Sequence, residues 1–177
     1  EDGTWQRARA FIGKTVTSGG AVRNEVYIAD IPEDITVAGP DGPLEGTATT
    51  FPMPPLGTVQ RRLTWSDTDC GGIIRCSLDG SRIAFTRGGQ IWLTSPLGGD
   101  AVQATSLSAG ATKPWWDPSG DYLYCVSDNS IWRTNVVEGD PQFGVSERIT
   151  DASLYPGSSP DALCVAPNGT LFSNVHW

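Results

Sequence analysis

The sequence predicts an all-β fold made of a repeated unit of about 40 residues. Gly80 and Gly120 lie 40 residues apart, and so do Trp92 and Trp132. This period, with several short strands in each repeat, is typical of the blades of a β-propeller. At about 40 residues a blade, the chain holds about three to three and a half four-stranded blades. It therefore predicts a partial propeller, because a closed ring needs about four to eight blades.

The elements of each repeat follow in a fixed order. Asp-Gly, Ser-Gly or Asn-Gly comes first and tolerates the positive φ of a tight hairpin, at residues 79–80, 119–120 and 168–169. An apolar run, a second small-residue turn and an Ile-Trp pair come next, and the outer strand ends at a threonine. We expect almost no helix, and antiparallel four-stranded sheets that include strands at 83–85, 90–93, 123–126 and 130–133. We also expect Trp92 and Trp132, at equivalent positions, to be largely buried between sheets.

The chain reads as one partial propeller domain, residues 1–177. Its predicted parts are a diverged blade, two whole blades and a half blade, at 1–64, 65–105, 106–150 and 151–177. A Pro- and Gly-rich insertion at 32–57 interrupts the first blade, and a surface excursion is favoured there over a functional loop. Unpaired sheet edges at both ends predict self-association, or packing against a missing propeller half.

Two motifs carry a resemblance to a known family. Ser-Leu-Asp-Gly-Ser-Arg-Ile-Ala-Phe at 77–85, followed by Ile-Trp at 91–92, resembles the repeat of the TolB-type propellers. Thr-Val-Gln-Arg-Arg-Leu-Thr at 58–64, after a Pro-rich segment, resembles the C-terminal half of an uncharacterised bacterial TolB-like family, and residues 90–99 and 116–120 strengthen the likeness. The resemblance covers about residues 8–172 and implies a propeller without an established activity.

The chain departs from that family at one place. The resemblance implies a longer, histidine-bearing stretch after the outer strand of the Pro-rich blade, and this chain has only the short segment 66–72. No metal role is therefore carried over. The resemblance leaves the compartment open between the periplasm and the cytoplasm of a bacterium.

Two functions remain open. The favoured hypothesis is a non-catalytic module that binds a protein or peptide on its loops. The alternative is half of a carbohydrate-active propeller enzyme similar to the oligogalacturonate lyases, whose metal site would lie outside this chain because the chain has one histidine, His176. A histidine beside a chain terminus is poorly held for catalysis. We therefore expect no catalytic residue, metal or cofactor in this chain alone.

Composition excludes other functions. The formal net charge of −8 provides no basic stripe to neutralise phosphates, so nucleic-acid binding is not expected. No apolar run approaches the roughly 18 residues of a membrane span. Protein and carbohydrate ligands remain.

The four cysteines show no zinc-site spacing. Cys76, Cys125 and Cys164 lie among apolar residues of predicted strands, and we expect buried thiols. Cys70 lies in a turn-rich segment, and the spacing leaves a Cys70–Cys76 bridge open.

The candidate site lies on the loops that join the outer strand of one blade to the inner strand of the next, because propellers place function there. These loops are predicted at 65–72, 106–113 and 151–161. They offer aromatic and polar side chains typical of sugar or peptide binding, namely Trp65, Asp67, Asp69, Lys113, Asp151 and Tyr155. Asp67 and Asp69 lack the full calcium-loop pattern, so a solvated acidic turn is favoured over a Ca²⁺ site.

Overall fold

The computed structural model describes residues 7–151 and 159–176. These residues form β-strands and no helix. The strands are β1 Ala8–Val16, β2 Val22–Asp30, β3 Val59–Arg62, β4 Cys70–Cys76, β5 Ile83–Arg87, β6 Gln90–Thr94, β7 Val102–Gln103, β8 Thr112–Trp116, β9 Tyr122–Ser127, β10 Ser130–Asn135, β11 Ser146–Arg148, β12 Ser159–Val165 and β13 Leu171–His176.

The strands form four antiparallel sheets in which sequence neighbours are also sheet neighbours. The first sheet has the order β1-β2-β3, the second β4-β5-β6-β7, the third β8-β9-β10-β11 and the fourth β12-β13. The all-β prediction is confirmed, and so are the four predicted strand positions in β5, β6, β9 and β10.

Turn chemistry sets the hairpins. Gly88 and Gly89 join β5 to β6 with φ of 57° and 75°, and Asp128 and Asn129 join β9 to β10 with φ of 49° and 54°. Two consecutive positive φ angles define the two-residue turn whose twist matches that of the flanking strands. Glycine, aspartate and asparagine are the residues that adopt this conformation at least cost.

Three clusters of buried side chains show that the sheets stack face to face. The cluster between the first and second sheets comprises Val26, Ile28, Leu63, Cys70, Ile83 and Phe85. The cluster between the second and third comprises Ala84, Ile91, Leu93, Ala104, Ala111, Trp116, Leu123, Cys125 and Val136. The cluster between the third and fourth comprises Tyr124, Val126, Ile131, Leu163 and Val165. The second and third sheets are therefore apolar on both faces.

A threonine after each outer strand repeats one contact in three sheets. In each case the threonine hydroxyl oxygen accepts a backbone N–H from the neighbouring strand at 2.9 Å. The pairs are Thr64 with Val26 of β2, Thr105 with Ile91 of β6 and Thr150 with Ile131 of β10. The Leu-Thr and Ile-Thr signals of the sequence therefore mark one structural position.

Trp92 and Trp132 occupy matching places, and the prediction that they pack between sheets is confirmed. Trp92 is partly buried against the cluster between the first and second sheets, and Trp132 against the cluster between the second and third. The indole N–H of Trp92 donates to the carbonyl of Arg87, and that of Trp132 to the carbonyl of Ser127, at 3.1 Å in each case. An indole that reaches a carbonyl at the strand end keeps one edge in solvent, whereas its neighbours Ile91 and Ile131 face the other way and are buried.

The cysteine prediction is correct for Cys125 and wrong for Cys76 and Cys164, which are exposed. Leu163 and Val165 face the third sheet, so Cys164 between them points to the opposite face. Cys76 is the last residue of β4, where the strand opens into a turn.

Cys70 is in a strand and buried, rather than in a loop. It stands at the opposite end of β4 from Cys76, about 20 Å away at about 3.3 Å per residue. That separation is too long for a disulfide, and both thiols are free.

The Pro- and Gly-rich segment between β2 and β3 runs over the surface. It contributes a single isolated bridge, Ala38 to Pro55, and most of its side chains are exposed. The described part of the chain contains no helix long and apolar enough to cross a membrane.

Candidate functional site

The predicted loop surface begins with the connection from β3 to β4. Trp65 is 69% exposed, and the Arg62 guanidinium carbon lies 5.3 Å from its ring centroid. Asp67 and Asp69 are also exposed. The Asp69 carboxylate accepts the backbone N–H of Asn24 at 3.1 Å, which ties the loop to the first sheet. The structure therefore brings Trp65, Asp67 and Asp69 together on one loop.

Lys113 does not join that group. Its ammonium donates to the Asp161 carboxylate at 2.6 Å and to the Pro160 carbonyl at 3.2 Å, so it ties the third sheet to the fourth. Lys113 also lies in β8 with a positive φ of 54°, where the register between β8 and β9 shifts. Its positive charge is already neutralised.

The other predicted loop residues lie apart. Asp151 is exposed and follows the third sheet. Tyr155 falls outside the described residues. Asp67 and Asp69 form no metal cluster, since no three His, Cys, Asp or Glu residues among residues 7–151 and 159–176 are grouped to hold an ion.

Sequence reasoning missed a fully buried carboxylate, Glu25 in β2. Its Oε1 accepts the Arg62 guanidinium at 2.9 Å and the Ser66 backbone N–H at 2.8 Å, and its Oε2 accepts the Thr64 hydroxyl. The Cys70 thiol lies 3.7 Å from Oε2. Burial raises the pKa of the Cys70 thiol, so the thiol stays protonated in this cluster.

The matching position of the second sheet explains what Glu25 does. Gln90 stands there, and its amide oxygen accepts the Thr105 hydroxyl at 2.9 Å and the Leu107 N–H at 3.1 Å. Both side chains hold the connection to the next sheet in the same way. Glu25 therefore has a structural role, in which it holds the loop that follows the first sheet. The alignment of Glu25 with Gln90 is the sequence signal that could have revealed this role.

A second surface lies at the opposite end of the sheets. It is a cleft of about 720 Å³ between the second and third sheets, which we call the intersheet cleft. Its apolar lining is Leu93, Val102, Val136, Val137 and Phe143, and its acidic lining is Asp100, Asp121 and Glu138. No sequence motif indicated it, because its residues come from four separate connections.

Arg82 is the cation in that lining, and it is held by two hydrogen bonds to backbone carbonyls. Its guanidinium donates to the carbonyls of Val136 and Gly120 and lies 4.7 Å from the centroid of the Trp116 ring. These contacts clamp the second sheet to the third. The clamp fixes the floor of the cleft and leaves its three carboxylates without an ion-pair partner among the described residues.

A smaller groove of about 250 Å³ runs beside the first strands of the second, third and fourth sheets, β4, β8 and β12. It is lined by side chains that include Arg75, Cys76, Leu78, Trp115 and Val165. The Arg75 guanidinium lies 4.6 Å from the centroid of the Trp115 ring. The intersheet cleft is the larger concavity.

The fold and these surfaces define an all-β chain of stacked antiparallel sheets with a sizeable cleft between two of them. No family model matches the chain. It is similar to the "Uncharacterized protein YidR" of Escherichia coli (strain K12), with 34% identity over 178 residues. The alignment covers 92% of this chain and 41% of that protein, so the chain spans about two-fifths of the relative's length.

Proposed function

We propose that the four sheets are successive blades of a TolB-like β-propeller. The support is positional: Thr64, Thr105 and Thr150 make the same 2.9 Å contact in three sheets. The second and third sheets also bury one face against the sheet before them and the other against the sheet after them. Radial repetition of four-stranded sheets produces that pattern.

The function proposed for this module is non-catalytic binding of a partner protein through an extended segment of that partner. The observation that carries the proposal is the intersheet cleft, because about 720 Å³ lies within the range of about 300–1,000 Å³ typical of ligand sites. Its mixture of apolar lining and open carboxylates suits a peptide, which presents both kinds of side chain.

The cleft supports binding better than the predicted loop surface does. On the loop surface, Asp69 and Lys113 already bond to protein groups, and Arg62 covers one face of Trp65. Of the other exposed residues predicted there, Trp65 and Asp67 lie on one loop, and Asp151 lies apart from them after the third sheet. In the cleft, apolar side chains and three carboxylates converge on one concave space.

A selection experiment tests the proposal. The purified chain is panned against a displayed library of random peptides, and the affinity of the selected peptides is measured by calorimetry. Val102→Trp fills the cleft from a side chain that is 53% exposed, so it is expected to abolish binding. The matched control is Val59→Trp, at a 50% exposed valine of β3 outside the cleft, and it is expected to bind as the unmodified chain does. Peptides that bind both variants equally would contradict the cleft as the site.

The carbohydrate hypothesis gives a different result in the same system. An array of oligosaccharides, including oligogalacturonates, would report binding that Trp65→Ala removes and Val102→Trp leaves intact. Sugars stack on exposed aromatic rings, and Trp65 provides one. That result, with no peptide selected, would overturn the proposed function.

A further inference from the structure

The charge of the intersheet cleft specifies its ligand further. Resting on the proposed function, we propose that the cleft binds a basic segment of the partner protein, in which lysine or arginine flanks an apolar residue. The inference rests on three features of the cleft: open carboxylates, an occupied arginine and an apolar floor.

The first feature is an excess of negative charge, because three carboxylates line the cleft with the single guanidinium of Arg82. Asp100, Asp121 and Glu138 are all exposed side chains on the cleft wall. They come from three different connections, so the negative charge surrounds the cleft rather than lying on one side of it. A cationic side chain placed between them would gain attraction from several directions at distances shorter than the screening length of about 8 Å in physiological salt.

The second feature is the position of Arg82. Its donors are directed to the carbonyls of Gly120 and Val136, and its flat face lies against Trp116. Rotating Arg82 toward a wall carboxylate would leave two backbone carbonyls without their donor and break the clamp between sheets. A cation from the ligand is therefore the natural counterion of the cleft.

The third feature is the apolar floor. Leu93 and Val136 are buried members of the cluster between the second and third sheets, and Phe143 packs against the same cluster. Val102 is 53% exposed at the rim. An apolar side chain of the ligand can lie on this floor while its basic neighbours reach the carboxylates, since alternate residues of an extended segment point in opposite directions.

The negative charge of the cleft is a local feature, separate from the net charge of the whole chain. Glu25 and Asp161 form ion pairs, and Glu33, Asp41 and Glu45 lie on the surface segment between β2 and β3. This second group makes a matched control for long-range attraction, because it has three exposed carboxylates outside the cleft.

The test uses three synthetic peptides with blocked ends. The probe is Gly-Lys-Leu-Arg-Phe-Lys-Gly; its neutral and acidic counterparts carry glutamine or glutamate in place of each basic residue. Fluorescence anisotropy measures the Kd of each peptide for the unmodified chain. It also measures Kd for the cleft variant Asp100→Asn/Asp121→Asn/Glu138→Gln and for the control variant Glu33→Gln/Asp41→Asn/Glu45→Gln.

The basic peptide is expected to bind the unmodified chain most tightly, and the cleft variant is expected to bind it about tenfold more weakly, since three exposed pairs are lost. The control variant is expected to change Kd less than twofold, and only at low salt. Thermal melting of both variants confirms that they remain folded.

Two results separate this inference from the proposed function. If the neutral or acidic peptide binds as tightly as the basic one, or if the control variant weakens binding as much as the cleft variant, the charge inference is wrong and the cleft function stands. If no peptide binds, and Val102→Trp changes no interaction of peptides selected from the library, the proposed function is wrong as well.

Discussion

At the scale of single residues, one structural position carries three different side chains. Glu25, Gln90 and Ser130 stand at equivalent places in β2, β6 and β10, opposite Gly13, Arg87 and Ser127. In the first sheet the carboxylate needs a cation, and Arg62 provides it at 2.9 Å. In the second sheet, Gln90 stands at the position of Glu25 and Gln103 at the position of Arg62, and both side chains are neutral. The first sheet therefore has charged side chains at these two positions, and the second sheet has neutral ones.

This interchange has a measurable consequence. Glu25→Gln leaves Arg62 without its anion, and Arg62→Gln leaves a buried carboxylate without its cation, so each is expected to cost about 3 kcal/mol of unfolding free energy. The double variant Glu25→Gln/Arg62→Gln recreates the second sheet's pair and is expected to be more stable than either single variant. Chemical denaturation measures the cycle, and simple additivity of the two single costs would contradict the equivalence.

Thr94 shows the cost of a missing partner. Its hydroxyl is buried and has no hydrogen bond in the described part of the chain. Its counterpart Thr134 shares a hydrogen bond of 2.8 Å with Ser146. Continuing the register of β6 and β7 places Ala101 where the third sheet has Ser146.

Ala101→Ser is therefore expected to raise the unfolding free energy by about 0.5–1.5 kcal/mol. The control repeats the change in a Thr94→Val background. This background has no hydroxyl at position 94 to bond the new serine, so no increase in unfolding free energy is expected. Equal gains in both backgrounds, measured by denaturant titration, would show that the serine acts elsewhere.

The cysteines differ in reactivity because the thiolate is the reacting form. Burial raises the pKa of Cys125 to about 12, and it also raises the pKa of Cys70 and of Cys76. In the folded chain at neutral pH, a thiol reagent is expected to label Cys164 first and the exposed Cys76 more slowly. Cys70 and Cys125 are expected to react only on unfolding. Mass spectrometry of labelled peptides checks the order, and early labelling of Cys125 would contradict its burial.

At the scale of elements, the indole of Trp92 packs against the cluster between the first and second sheets, and its N–H reaches a carbonyl at 3.1 Å. Trp92→Ala removes that packing and is expected to cost about 3 kcal/mol. Trp65→Ala, at a ring that is 69% exposed, is the matched control and is expected to cost much less. Similar melting temperatures for the two variants would show that Trp92 does not join the sheets.

The sequence predicted the positions of these strands better than it predicted which strand face is buried. Ile-Trp pairs and the small-residue turns before them, Gly88-Gly89 and Asp128-Asn129, located β6 and β10, because strand propensity and turn chemistry act over a few residues. The exposure of Cys164 was not predictable in the same way, because it depends on which sheet face meets a neighbour. The intersheet cleft was missed for the same reason: it arises only when connections of two sheets meet.

At the scale of the whole molecule, the face of the first sheet that points away from the second sheet carries side chains like those of the interface between these two sheets. Phe11 and Tyr27 stack there with ring centroids 5.8 Å apart. By register they match Phe85 and Trp92, which pack against the first sheet from the second. A face of this composition is suited to packing against another sheet.

The chain alone is therefore expected to self-associate through this face. Sedimentation velocity at increasing concentration is expected to show species larger than one chain, and Tyr27→Glu is expected to shift them toward the monomer. Asn24→Glu, on the same strand beside the first hairpin, provides a control for added charge. A chain that stays monomeric at all concentrations would contradict the self-association prediction.

Location of the bound peptide tests the central claim, that the intersheet cleft is the binding site. Two-dimensional NMR of the ¹⁵N-labelled chain during titration with the basic peptide reports every backbone amide and indole at once. The expected result is saturable shifts of the amides of Ser95, Val102, Asp121 and Glu138, with the Trp65 indole unchanged. Shifts centred on Trp65 and Asp67, with the cleft amides unchanged, would contradict it.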